Sequence, residues 1–355
     1  MPETDVRSQY ARHVRRKVGF GCLLVGMISV VTVVSMQTGA YPIGLGDMLR
    51  AWTSGGDEAT FHVLWSIRIP QVLAALLAGG CLGLSGAAMQ NVLRNPLASP
   101  FTLGVSQGAV FGATFAIIAL GAGTSVATET EGSIASMPYV LAVCAFAGSL
   151  ITVTALVLFS SLRGLSPAAL ILAGVAMSEV ARSATMLLQY FASDTEVASA
   201  VFWTFGDLKK AQWPELGLMT TVLLPAGVYF LWRAWHFNAM IWGDDAAKSL
   251  GVSVAPVRLT ALVLAALVAS VATAFVGVIG FVGLIAPHMV RMVVGEDHRF
   301  LFPYSALAGG LLLLAADLLA RTIMAPVVLP VGILTSFAGG PVFLYLLLRH
   351  RSIRS

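Results

Sequence analysis

Ten apolar segments, most of them near twenty residues long, follow one another along the chain with short polar intervals between them. A helix needs about twenty apolar residues to cross a hydrocarbon core of roughly 30 Å. The segments run over 18–36, 70–90, 100–120, 138–160, 168–190, 214–234, 257–276, 279–294, 303–323 and 331–348. In lipid each must satisfy its own backbone polar groups, which a helix does and an isolated strand does not. Only 11% of residues are charged, against about 25% in a soluble domain. The expectation is an all-α polytopic membrane protein of ten transmembrane helices. A single membrane domain over 18–349 lies between a segment 1–17 and a tail 350–355.

Basic residues Arg7, Arg12, Arg15, Arg16 and Lys17 precede the first apolar run. A signal peptide has the same polarity, but 19 apolar residues from Val18 to Met36 exceed its usual core of about 7–15. No small-residue cleavage site follows, so a retained first span is expected. Alternating the spans puts 1–17, 91–97, 161–167, 235–256, 295–302 and 349–355 on one side, with most of the 21 Lys and Arg. The opposite loops carry Asp47, Asp57, Glu58, Glu129, Glu131, Asp194, Glu196 and Asp207. The positive-inside rule then places both termini in the cytoplasm of a cell (inner) membrane protein, and an odd number of spans would spoil the bias. Cys22, Cys81 and Cys144 lie in apolar segments and imply packing rather than disulfides. No nucleic-acid partner is expected.

Within 236–257, the stretch Asp244, Asp245, Ala246, Ala247, Lys248, Ser249, Leu250, Gly251 cannot sit in hydrocarbon, where each ion costs several kcal/mol. Good helix formers, an acidic first turn and a glycine stop predict a short helix on the membrane surface. It reads either as a solvated connection or as a docking helix for a soluble partner. Residues 193–212 are too polar to span and predict a short helix on the outer surface. Small residues four apart, at Gly79 and Gly83 and at Gly104, Gly108 and Gly112, predict close helix contacts.

No phosphate loop, nucleophile elbow or metal-ligand spacing is present in the sequence, so if the protein pumps a solute, the energy must come from another chain or an ion gradient. Glu179 and Arg182, three apart, and Asp317 and Arg321, four apart, can each pair on one helix face. They read as self-neutralised pairs or as the polar lining of a pathway. His288, after Pro287, reads as a hydrogen-bonded structural residue or a ligand.

Three stretches together resemble the FecCD family, permease subunits of ATP-binding-cassette importers for iron-siderophores, haem and cobalamin. The first runs from Arg68-Ile69-Pro70 through Gln90 to Asn95-Pro96-Leu97-Ala98-Ser99-Pro100. The second is Gly280 to Arg291, including Pro287 and His288, and the third runs from Ala316-Asp317 through Arg321 and Leu329-Pro330-Val331-Gly332 to Leu344. The resemblance implies a type II ABC importer permease fold, acting as a homodimer with two separate ATPases and an extracytoplasmic substrate-binding protein. ATP and Mg would then be bound by the ATPase and no cofactor by this chain. It also implies that 244–251 couples to the ATPase, that Leu165, Ser166, Pro167 and Ala168 form the cytoplasmic gate, and that Arg68 and Arg321 meet carboxylates of the binding protein. Where the family commonly has Arg and Glu, this chain has Gln71 and Val328, both expected at the outer mouth. The implied cargo is a ferric siderophore, with haem or cobalamin next; an ion-coupled secondary transporter is the competing class.

Overall fold

The computed structural model describes residues 3–39, 41–52, 57–122, 138–162 and 164–351. Glu129, Glu131 and Arg163 lie outside the described residues, as do residues 352–355 of the tail. Ten helices correspond to the ten segments: α1 Glu3–Gln37, α2 Ile69–Val92, α3 Val105–Ala119, α4 Pro138–Ser161, α5 Pro167–Tyr190, α6 Trp213–Trp232, α7 Val254–Val276, α8 Val282–Val294, α9 His298–Thr322 and α10 Val331–Arg351. No strand occurs among the described residues.

The helix α2 is the axis of the bundle and packs on α6, α7, α8 and α9. Its small residues explain why. A Cβ at Gly79 would overlap the Gly309 carbonyl, one at Gly83 the Ser305 carbonyl, and one at Gly86 the Gly283 carbonyl. Without a hydrophobic drive between helices in lipid, such backbone approach supplies the packing. The Gly283 carbonyl is free to face α2 because Pro287, four residues on, has no N–H to offer it. On the other flank, Gly108 and Gly112 of α3 let α4 approach at Gly148 and Cys144. Gly104 lies just before α3 with φ +84°, so it serves as the turn into the helix rather than as part of the expected glycine face.

Several boundaries depart from the sequence reading. The segments at 100–120 and 279–294 are helical only from Val105 and Val282, so α3 and α8 have 15 and 13 residues. At about 1.5 Å per residue neither reaches the roughly 30 Å of a bilayer core. The missing length is irregular chain whose Ala98, Ser99, Pro100 and Leu103, and Gly277, Ile279 and Gly280, are buried in protein. That is the one setting in which non-helical backbone is tolerated at such depth. The second segment is longer than expected, continuing back to Glu58 through a π turn at Leu64–Arg68. The helix α1 begins well inside the basic segment 1–17.

The polar 193–212 stretch forms the helix Asp194–Thr204, started by a capping box of Ser193 and Glu196, and a 3-10 turn Leu208–Lys210. Gly206 packs on Val278, just past the end of α7, whereas the polar 244–249 stretch precedes the start of α7. The two polar stretches therefore cap opposite ends of the bundle. Lys17, 3.5 Å from Asp297, puts the start of the apolar run of α1 at the end that carries 244–249.

Candidate coupling surface, gate and pathway

Between α6 and α7 the chain makes two short helices, Ala234–Met240 and Asp244–Ser249. The first is pinned by Phe237, fully buried against Phe230 and Phe302 with ring centroids 5.8 and 5.1 Å away. Asn238 adds polar anchorage: its Oδ1 accepts from the His298 backbone N–H at 2.8 Å, and its Nδ2 donates to Asp297 at 3.3 Å. Asp297 also meets Lys17 and Arg299. Burial pushes its carboxyl up, but the Arg299 and Asn238 hydrogen bonds and the Arg299 charge hold it well below the usual carboxylate range.

The second helix ends in a Schellman motif. The Gly251 N–H donates to Lys248 and the Val252 N–H to Ala247, with Gly251 at φ +82°. Its inner face is Asp244 and the fully buried Ala247. The side chain of Asp245 is fully exposed and Leu250 is 68% exposed, with Lys248 and Ser249 also facing solvent. The adjacent aspartates thus face different ways, one toward the bundle and one to solvent. An open groove of about 440 Å³ lies beside the helix, lined by Trp235, Asn238, Trp242 and Leu250 among others.

Asp244 is gripped by two arginines. Arg94, from the turn after α2, reaches Oδ1. Arg258 of α7 donates from Nη2 to Oδ1 at 2.8 Å and from Nη1 to Oδ2 at 3.1 Å. Burial raises the Asp244 carboxyl; the Arg258 hydrogen bond and charge, then the charges of Arg94 and Lys248, outweigh this and hold it below its ordinary value. Arg258 does more. Its Nε donates to the Val92 carbonyl at 3.0 Å and its Nη1 to the Leu165 carbonyl at 3.2 Å. In the sequence Arg94 and Arg258 are simply two of the basic residues on the more positive side of the membrane. The apolar segment 257–276 places Arg258 at its very start, whereas the helix begins at Val254 and sets this arginine about one turn inside, where a buried charge needs an internal partner.

Leu165, Ser166, Pro167 and Ala168 stand at the same end of the bundle, where the chain enters α5. Leu165 has φ +52°, an uncommon backbone for leucine. Ser166 caps α5, accepting from the Ala169 N–H at 3.3 Å, and Pro167 takes the first helical position. From there α5 runs along the edge of the molecule, with only 22% of its apolar window buried against 83% for the window that contains α2. Midway along its exposed side sit Glu179 and Arg182, an ion pair at 3.9 Å whose side chains are 65% and 57% exposed.

At the opposite end, Arg68 and Arg321 point inward. Arg68 is 5% exposed and donates to the carbonyls of Met36, in the last turn of α1, and Tyr41, beyond its end. The guanidinium of Arg321 donates to the Thr38 carbonyl at 3.0 Å and to Ser35 Oγ, and pairs with Asp317 at 2.9 Å. Gln71, expected at the outer mouth, is buried and donates to Asp317 at 2.8 Å. Its position one turn into α2 rotates it toward α9 rather than toward solvent. Val328 does lie on the surface, 43% exposed. The anticipated docking charges therefore form an internal cluster that ties α1 to α2 and α9.

The family-motif residues Gln90 and Arg291 meet: Arg291 Nη1 donates to Gln90 Oε1 at 2.9 Å, and Gln90 Nε2 donates to the Leu284 carbonyl at 3.3 Å. Asn95 makes a local turn by accepting from the Leu97 N–H at 2.9 Å, next to an exposed Pro96. Pro287 and His288 are buried within α8. Among the described residues no group of His, Cys, Asp or Glu is arranged to hold a metal ion.

The family model described as the FecCD transport family matches residues 27–349. A protein of Methanocaldococcus jannaschii described as an ABC transporter permease, MJ0087, is 48% identical over 97% of this chain and 98% of its own length. The hemin transport system permease protein HmuU of Yersinia pestis is 38% identical over 96% of this chain and 98% of its own. The vitamin B12 import system permease protein BtuC of Salmonella arizonae is 35% identical over 98% of each. A solved ABC transporter described as of metal-chelate type, in an inward-facing conformation, superposes with a TM-score of 0.81 at 30% identity, covering 94% of this chain and 99% of that one. With relatives matched along nearly their full length and a helical bundle that superposes on a solved transporter of this kind, the chain belongs to the FecCD transport family.

Proposed function

We propose that this permease carries a ferric siderophore or a similar metal chelate inward across the cell membrane as a homodimer, driven by two separate ATPases and fed by an extracytoplasmic binding protein. Both termini and the Asp244–Ser249 helix would then be cytoplasmic, and 18–349 would act as one membrane domain. The observation that carries the reading is the two-sidedness of that helix. Its inner face is locked to the bundle through Asp244 and Ala247, while Asp245, Lys248 and Leu250 are left facing out beside an apolar groove. A rigid element fixed on one side and bare on the other passes an applied push to the spans as a rigid-body tilt. ATP and Mg would be bound by the ATPase alone.

The Leu165–Ala168 turn would close the neck where two copies meet. The exposed side of α5, with Glu179 and Arg182, would line the corridor, since a charged pair midway along a span belongs against water or protein rather than lipid. Arg68 and Arg321 would serve binding-protein docking by fixing the outer end of α1 rather than by offering bare charge. Haem is the second reading for the cargo, favoured by the 38% identity to a hemin permease.

The test is reconstitution in liposomes. With its ATPase, binding protein and ATP the chain should accumulate ferric siderophore; alone it should be idle. Accumulation driven by a pH or sodium difference without nucleotide would overturn the reading in favour of a secondary transporter. Saturable haem uptake with no siderophore uptake would replace the cargo only.

A further inference from the structure

Arg258 occupies a position that none of the motif residues shares. It is 3% exposed, on α7, and its one planar group touches three separate parts of the chain. The Nε edge is fixed to the Val92 carbonyl at the end of α2, the most buried helix of the bundle. The outer edge is shared. The single nitrogen Nη1 bonds both Asp244 Oδ2, on the exposed short helix, and the carbonyl of Leu165, at the turn that opens α5. Nη2 completes a two-point hold on the Asp244 carboxylate. A guanidinium is flat and its donors are fixed in direction, so moving one acceptor out of its plane costs the bonds to the others.

We propose that Arg258 is the positioning residue through which displacement of the Asp244–Ser249 helix reaches the Leu165–Ala168 turn. The inference rests on reading these two elements as the coupling helix and the gate. The left-handed backbone of Leu165 is a conformation that surrounding contacts must sustain, and the bond from Arg258 to its carbonyl is one of them. Drawing Asp244 away takes Nη1 with it and releases the carbonyl; pressing it inward holds the turn in place. Arg94, on the same carboxylate oxygen, ties the turn after α2 into the same movement.

The test is Arg258→Lys in the full complex with ATPase and binding protein. Lysine keeps the charge but is a rotating point donor that cannot hold three acceptors in one plane. Two quantities are read in each folded complex: substrate transported per ATP hydrolysed, and the nucleotide-dependent change in the spectrum of a spin label on the exposed Ala168. The expected result is at least a tenfold fall in the ratio and loss of the label's response, with the ATPase still co-purifying. A wild-type ratio and response overturn the proposal. So does a lower yield of folded complex with both quantities unchanged, which is what a purely structural arginine predicts. Should Arg258→Lys fail to fold, Asp244→Asn leaves the Val92 and Leu165 bonds in place and should lower the ratio about threefold or more; no fall overturns the proposal. Leu250→Arg separates this from the underlying reading. If that variant binds ATPase and transports normally, the coupling surface itself is misplaced, whereas a defect there with normal Arg258→Lys defeats only the role of Arg258.

Discussion

The buried cluster of Gln71, Asp317 and Arg321 makes an asymmetric prediction. Asp317 and Arg321 pair at 2.9 Å with side chains 5% and 8% exposed. Breaking such a pair by removing one partner typically costs about 3–5 kcal/mol, because the other is left buried and charged. The two partners are not equally provided for. Without Asp317, the arginine still donates to Thr38 and to Ser35, so Asp317→Asn should fall below that range, at about 2 kcal/mol for the lost charged contact. Without Arg321, the carboxylate keeps only the Gln71 amide at 2.8 Å, and the end of α1 loses its tie to α9. Arg321→Met should therefore cost the full 3–5 kcal/mol or so. The fully buried Cys81 reports unfolding. In a Cys22→Ser, Cys144→Ser background, labelling of Cys81 by a maleimide dye during heating at one scan rate ranks the variants. Arg321→Met should melt first, Asp317→Asn second, with the parent last. An Asp317→Asn variant that melts at or below Arg321→Met would refute the argument that the arginine's other acceptors sustain it.

Two other outcomes are expected. Asp244 has a folded value below its unfolded value of about 4, so it binds fewer protons folded than unfolded. Its contribution is full above the unfolded value and is lost as pH falls through the folded one; hydrogen exchange across 244–252 should be flat between pH 6 and 8 after correction for intrinsic rates and should rise only below about pH 4. Glu179→Gln and Arg182→Gln sit on exposed side chains and should leave melting unchanged while altering uptake of anionic and cationic chelates in opposite directions; equal effects on both would deny the pair a place in the corridor.

Much of the fold was legible because hydrocarbon imposes a simple length rule. The ten apolar segments became ten helices, and the glycine stop at Gly251 marked a real end. The rule failed for α3 and α8, since an apolar run says nothing about whether neighbouring protein will cover irregular backbone. Pro287 shows the same gap: a proline by itself reads as a helix breaker, yet this one sits inside α8 and frees a carbonyl for contact with Gly86. The candidate site was legible as a place but not as a mechanism. Arg258 was visible as a charge; its three partners lie 14, 93 and 166 residues away and leave no mark at that position.

The sequence by itself determined that this chain crosses a membrane many times, where its polar stretches must emerge and which family motifs it carries, because those follow from local composition and spacing. Only the tertiary structure decided which way each charge faces. Asp244 and Asp245 are chemically identical neighbours, yet one is locked inward and the other is bare, and Arg68 and Arg321 turn from solvent to the end of α1. Successive residues on a helix point about 100° apart, so the direction of a side chain depends on how its helix is rotated against partners that arrive from distant parts of the chain.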